Sequence, residues 1–206
     1  MKDIEAGLAQ AIALLNAGQN EEAAALCSAL LARHPQDAAV NQLLAVVRAG
    51  QQRWDEARTH IRRSLASRPK HLPSLQIAAR IARETSDAPG LRDALAHIAR
   101  LQPQSAAGWF ALSLACHEAR DTAAELEALE RVLALEPSHV EALVNLGIVR
   151  QESGDLAGAM HCYGCAYRLR ADTFGRITNA LCSERTGALW LDLDALRRAL
   201  AVSAAH

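Results

Sequence analysis

Apolar positions at helical spacing alternate with short polar breaks along most of the chain. From Val140, apolar or small residues fall at Leu143, Leu146 and Gly147, intervals of three and four that mark one helix face. Ser153-Gly154-Asp155 interrupts the pattern. A second helical pattern follows through Leu156, Ala159, Tyr163, Ala166 and Leu169. The preceding stretch has the same layout, with Trp109, Leu112, Ser113 and Cys116, then Glu125, Leu129, Val132 and Pro137. Each such stretch predicts two helices joined by a polar turn.

The layout recurs with a fixed period. Of six prolines, Pro35, Pro69, Pro103 and Pro137 stand 34 residues apart, and Ala171 occupies the next position in phase. Proline has no N–H and does not extend the helix before it, so each forces a turn. Small residues recur in the same phase: Ala11, Ala45, Ala79, Ser113 and Gly147 in first helices, Ala23, Ala57 and Ala159 in second helices. They let two helices approach closely, and Leu26, Ile61, Leu95, Leu129 and Tyr163 supply bulk to fill the remaining space. A lone helix pair cannot bury its apolar face, whereas a stack of pairs builds one continuous core.

These residues resemble the tetratricopeptide repeat, with its Trp-x2-Leu-Gly-x2-Tyr, Ala-x3-Phe and terminal Pro over 34 residues. Five units fit in register: 4–37, 38–71, 72–105, 106–139 and 140–173. The resemblance implies an all-α fold, a right-handed α-solenoid of antiparallel helix pairs. Gly7 departs from it, standing where the family prefers bulk, at a cost of ~1 kcal/mol in a helix interior. Pro89-Gly90, after Ser86-Asp87, predicts a second helix with a shifted start and Asp87 as its cap. Pro73 falls in a first turn, where proline is tolerated. Residues 174–206 read as a degenerate sixth repeat or capping helix pair. Phe174–Ser183 predicts one helix, Arg185-Thr186-Gly187 a break, and Leu189, Leu193, Leu196 and Leu200 a second helix. The alternative for Leu189-Trp190-Leu191 is a short strand, and Ser203 to His206 are expected to fray.

Composition removes several functional classes. The chain has 206 residues, half of them hydrophobic but only 3% aromatic, which argues against a large β-sandwich core. Net charge is −1, without the basic excess of a nucleic-acid binder. Nothing approaches 18 consecutive apolar residues, and acids at Asp3 and Glu5 argue against a signal peptide. Five irregularly spaced cysteines do not form a disulfide framework. A reduced, cytoplasmic protein is expected. Twenty Arg against two Lys, with much Ala, suggests a GC-rich bacterial source.

Candidate chemistry is sparse. Cys162 and Cys165 make a CxxC beside His161, but no second ligand pair stands at zinc spacing. Helix packing is the plainer reading of these thiols. His34, His71 and His139 fall at connections, and His60, His97 and His161 on second helices, with no HExxH. No Walker loop, GxGxxG or GxSxG occurs. No catalytic residue, metal or cofactor is expected. Charge is uneven: six basic residues lie between Arg53 and Lys70, and seven acids between Glu118 and Glu141. These are solvated faces, or patches that steer a partner or join copies head to tail.

By the resemblance, first helices line a concave face that binds peptides or helices. The corresponding positions are Leu8, Ile12, Gln42, Val46, Gln76, Arg80, Phe110, Leu114, Val144 and Ile148, with Arg83, His117 and Gln151 further along and Asn145 nearby. The carboxylate clamp that some members use on chaperone tails is absent, since its positions hold Leu8, Ile12, Leu43, Ala111 and Pro73. The surface suits an amphipathic helix or extended apolar segment with an acid facing the arginines. The expected function is a non-catalytic scaffold binding another protein or peptide, with no nucleic acid and no membrane insertion. Two alternatives stay open: an N-terminal module of a larger enzyme, such as a hydroxylase or sulfotransferase, and a self-associating structural module that forms homo-oligomers.

Overall fold

A computed structural model describes residues 2–182 and 193–202. Ten helices run through the periodic region: α1 (Lys2–Asn16), α2 (Asn20–Arg33), α3 (Ala38–Gly50), α4 (Trp54–Ser67), α5 (Leu72–Glu84), α6 (Ala88–Leu101), α7 (Ala106–Glu118), α8 (Thr122–Leu135), α9 (Val140–Glu152) and α10 (Leu156–Leu169). A 3₁₀ turn at Ala171–Thr173 leads into α11 (Phe174–Leu181), and α12 spans Leu193–Val202. No strand occurs among the described residues. The break at Arg185-Thr186-Gly187, the Leu189-Trp190-Leu191 alternative and the terminal Ser203 to His206 lie outside those residues. The chain divides into two compact units, Met1–Leu101 and Gln102–His206. In the first, α1 pairs with α2, α3 with α4 and α5 with α6, and neighbouring pairs join through α2 on α3 and α4 on α5. In the second, α7 pairs with α8 and α9 with α10, and α8 packs on α9.

The turns inside the pairs share one geometry. Gly18, Gln52, Ser86, Arg120 and Gly154, each 34 residues from the next, all have positive φ, between 53° and 87°. The amide after each donates back to the carbonyl five residues before it: Gln19 to Leu14, Arg53 to Arg48, Asp87 to Ala82, Asp121 to Cys116 and Asp155 to Arg150. This is the Schellman helix ending, in which a left-handed residue turns the chain and caps orphan carbonyls. Only two of the five positions carry glycine, the residue that takes this conformation without steric cost.

The turns between pairs use the phased prolines. Asn41 and Trp109 occupy equivalent positions in α3 and α7. Asn41 Nδ2 donates to Pro35 O at 3.2 Å, and Trp109 Nε1 to Pro103 O at 3.1 Å. A second Nδ2 bond goes to Asp37 O, so Oδ1 is left to accept from His60 Nδ1 at 3.0 Å. Helix starts are capped by side chains: Asp37, Asp87, Ser105, Asp121 and Asp155 each accept from backbone N–H groups two or three residues on. Helix α6 begins at Ala88, in phase with the other second helices, so the shifted start predicted for it does not occur. Pro89 sits where its missing N–H has no intrahelical partner to lose.

The core follows small-against-large pairing. Ala45 and Ile61, Ser113 and Leu129, and Gly147 and Tyr163 are all buried. A Cβ on Gly147 would stand 2.6 Å from Tyr163 Cδ1, so the smallest residue of the series faces the largest. In the first pair the buried residue is Cys27, not the predicted Leu26, which is only half-buried. Burial pushes the Cys27 thiol up to about 11. Gly7 is buried against Leu30, whose methyl carbons stand 2.9 Å from where its Cβ would lie. At the C-terminal end, Leu196 and Leu200 of α12 join Tyr163, Ala159, Ile177 and Leu181 in one fully buried cluster, with α12 packed on α10. Arg168 Nη1 ties the two helices by donating to Leu200 O at 3.0 Å.

Candidate functional site

The outward faces of the first helices carry the candidate surface, and each unit presents its own. In the first unit, Ile12 on α1 is 46% exposed, while Leu8 is half-buried against the core. On α3, Val46 and Gln42 are half-buried, and Gln42 Oε1 accepts from Arg68 Nη2 at 3.3 Å. On α5, Gln76, Arg80 and Arg83 are exposed, and neither arginine has an acidic partner among the described residues. The face therefore runs from apolar at α1 to cationic at α5.

In the second unit, Leu114 on α7 is 44% exposed. Phe110, one turn before it, is half-buried with its ring 4.7 Å from that of His139. The His117 side chain is 62% exposed, and its Nδ1 lies 3.3 Å from Glu125 Oε2. Glu125 itself is only 6% exposed, at the position where Ala23, Ala57 and Ala159 stand in other second helices. Burial holds its carboxyl above the ordinary range, with Glu152 adding and His117 opposing. An Nδ1–H bond to the buried carboxylate orients the imidazole, and leaves Nε2 to accept from a donor outside. Sequence reasoning missed Glu125, although a carboxylate at a small-residue position was the available signal.

Helix α9 does not present the expected face. Val144 is fully buried among Leu143, Ala166 and their neighbours, so it lines no surface. Gln151 is buried too: its Nε2 donates to Ala180 O at 2.7 Å, and its Oε1 accepts from Tyr163 Oη at 3.1 Å. Asn145 is half-buried and accepts from Arg176 Nη2 at 3.2 Å, and Ile148 packs on the Ile177–Leu181 cluster. Residues of α8 and α10 bury Val144, while α11 meets Gln151 and Asn145.

A cleft of about 240 Å³ opens on the other side of α5, lined by Leu65, Pro69, Leu75, Ala78, Gly90, Asp93, Ala94 and His97. Cys162 is buried and burial raises its thiol, whereas Cys165 is half-buried, with Arg168 Nη2 3.2 Å from its sulfur. No group of three His, Cys, Asp or Glu side chains among the described residues could hold a metal ion. No described helix is long and apolar enough to cross a membrane.

Comparison with known proteins agrees with this architecture. Residues 8–71 match the family model described as tetratricopeptide repeat. Residues 8–71 are thus similar to tetratricopeptide repeats, and the solved structures below share the fold over most of the chain. Similar solved structures include MamA AMB-1, at 17% identity and TM-score 0.62 over 82% of this chain and 93% of that one. YrrB, titled a TPR protein with an unusual peptide-binding site, is 14% identical with TM-score 0.62 over 81% and 86%. MamA from Desulfovibrio magneticus RS-1 is 17% identical with TM-score 0.56 over 82% and 95%. At such identities the likeness concerns the fold. No curated protein matches the chain.

Proposed function

We propose that this chain is a tetratricopeptide repeat protein and a non-catalytic scaffold, holding a segment of another protein against the outward faces of its first helices. The observation that carries the reading is the exposure of Ile12 and Leu114, one in each unit, at positions the family resemblance assigns to ligand. Leu8, Gln42, Val46, Gln76, Arg80 and Arg83 complete the first face; Phe110 and His117 complete the second. Asn145 and Ile148 are left at its edge, and Val144 is excluded by its burial. An apolar strip beside unpartnered arginines suits an amphipathic or extended segment with apolar anchors and an acidic residue. A relative in fold, YrrB, is described by its title as having a peptide-binding site. A cytoplasmic, bacterial setting is part of the proposal, supported by five free cysteines and the Arg-rich basic composition.

A random peptide library displayed on phage tests the proposal. Peptides enriched on the wild type are synthesised and titrated by fluorescence anisotropy against Ile12→Glu, Leu114→Glu and Phe110→Ala. A charge placed at an apolar anchor should raise Kd by roughly 30-fold, the scale of a hot-spot residue. The helical circular dichroism should stay unchanged. Equal binding by wild type and all three variants would reject the reading.

A further inference from the structure

The two compact units carry opposite charge. Residues 1–101 hold 13 Lys and Arg against 10 Asp and Glu, while residues 102–206 hold 9 against 13. The contrast is sharpest between α4 and α8, which are the same element two repeats apart. Counted in phase, Arg62 corresponds to Glu130, Arg68 to Glu136 and Thr59 to Glu127. The exposed C-terminal part of α4 and the turn after it present Arg62, Arg63 and Lys70, none with an acidic partner among the described residues. Helix α8 and its following turn expose Glu127, Glu130 and Glu136, with Arg131 the one cation among them. Of these acids only Glu130 is engaged among the described residues, by Arg150 Nη2 at 3.3 Å. Two surfaces built on the same helix geometry therefore bear opposite charge.

We propose that a second copy of this chain is the occupant of these faces, with the basic α4 of one copy on the acidic α8 of another. Overall net charge is only −1, so two copies approach with little mean repulsion while their local patches attract. Such steering is screened over about 10 Å at 0.1 M salt, which makes the association salt-dependent. The surfaces involved are on second helices, so this contact is independent of peptide binding by the first-helix faces.

Sedimentation velocity on the full chain tests it, at up to about 100 µM. At low ionic strength a dimer or larger species is expected, and about 0.5 M salt should weaken association by roughly tenfold or more. Arg62→Glu with Lys70→Glu makes both faces acidic, and Glu127→Arg with Glu136→Arg makes both basic. Each variant alone should sediment as a monomer with unchanged circular dichroism. Their equimolar mixture should associate again, because each face then meets its opposite. The milder pair Arg62→Gln with Lys70→Gln should also weaken association. A wild-type chain that is monomeric at low salt, or a mixture that fails to restore association, would overturn the proposal.

Discussion

Replacing Gly147 by Ala tests whether helix pairs are set by volume complementarity. The added Cβ would lie 2.6 Å from Tyr163 Cδ1 and 3.0 Å from Cζ, well inside contact distance. Tyr163 cannot swing away freely, because it is fully buried and its hydroxyl donates to Gln151 Oε1. Helix propensity alone favours Ala over Gly by about 1 kcal/mol. Overpacking a filled core costs about 1–3 kcal/mol, so the two effects together predict a net destabilisation of about 0–2 kcal/mol. Tyr163→Leu opens the same space and copies the Ala79–Leu95 combination of the third repeat. Alone it should cost about 2–3 kcal/mol through the cavity and the lost hydrogen bond to Gln151. In the double variant the Ala methyl fills part of that cavity, so the combined loss should fall short of the sum by about 1 kcal/mol. Urea denaturation followed by circular dichroism measures all four corners of the cycle. A Gly147→Ala protein more stable than wild type, or strictly additive losses, would refute the reasoning.

Two further outcomes concern the turns and the buried acid. Arg120 holds φ at 56° where glycine is unstrained, so Arg120→Gly should raise stability by about 0.5–1 kcal/mol in the same assay, and Arg120→Ala should not. Glu125 is more easily protonated in the folded chain than its ordinary 4.5, so its contribution to stability is complete below that value and is lost as pH rises through the higher folded one. The melting temperature of Glu125→Gln relative to wild type should therefore climb between about pH 4.5 and 7; a difference that is flat across that range would show the carboxyl to be unperturbed.

Proline phase and small-residue phase made the helix pairs legible because both report local requirements that repeat. A proline beyond a helix's first turn blocks its continuation, and a close helix crossing needs a small residue whatever surrounds it. What escaped was decided elsewhere in the chain. Val144 and Gln151 occupy first-helix positions whose equivalents Phe110 and His117 reach the surface, but Val144 is enclosed by residues of α8 and α10, and α11 covers Gln151 through Ala180. Residues 174–206 lack the phased prolines, so nothing in their pattern announces that coverage. Leu26 has the bulk of a filling residue, but Cys27 keeps the phase of Ile61, Leu95, Leu129 and Tyr163 and is the one buried. The five left-handed turn residues were hidden because three of them are Gln, Ser and Arg, which carry no signal for positive φ.

The same comparison separates what a repeat position must do from what it is free to do. At 52, 86 and 120 the backbone imposes a left-handed turn on three unrelated side chains, so the helix ending is determined by the Schellman bonds and the packed pair, with the residue tolerated. At 62 and 130 the backbone imposes nothing, since both sites point to solvent, and the side chains are free to differ in sign. Function in such a chain therefore belongs to positions where phase is kept and chemistry changes. Glu125 is the instructive exception. It places a carboxylate where packing calls for alanine, and the nearest polar group is His117, on the face through which a ligand would be held. A buried acid that costs stability at neutral pH, yet orients an exposed imidazole, is best understood as serving that face rather than the core.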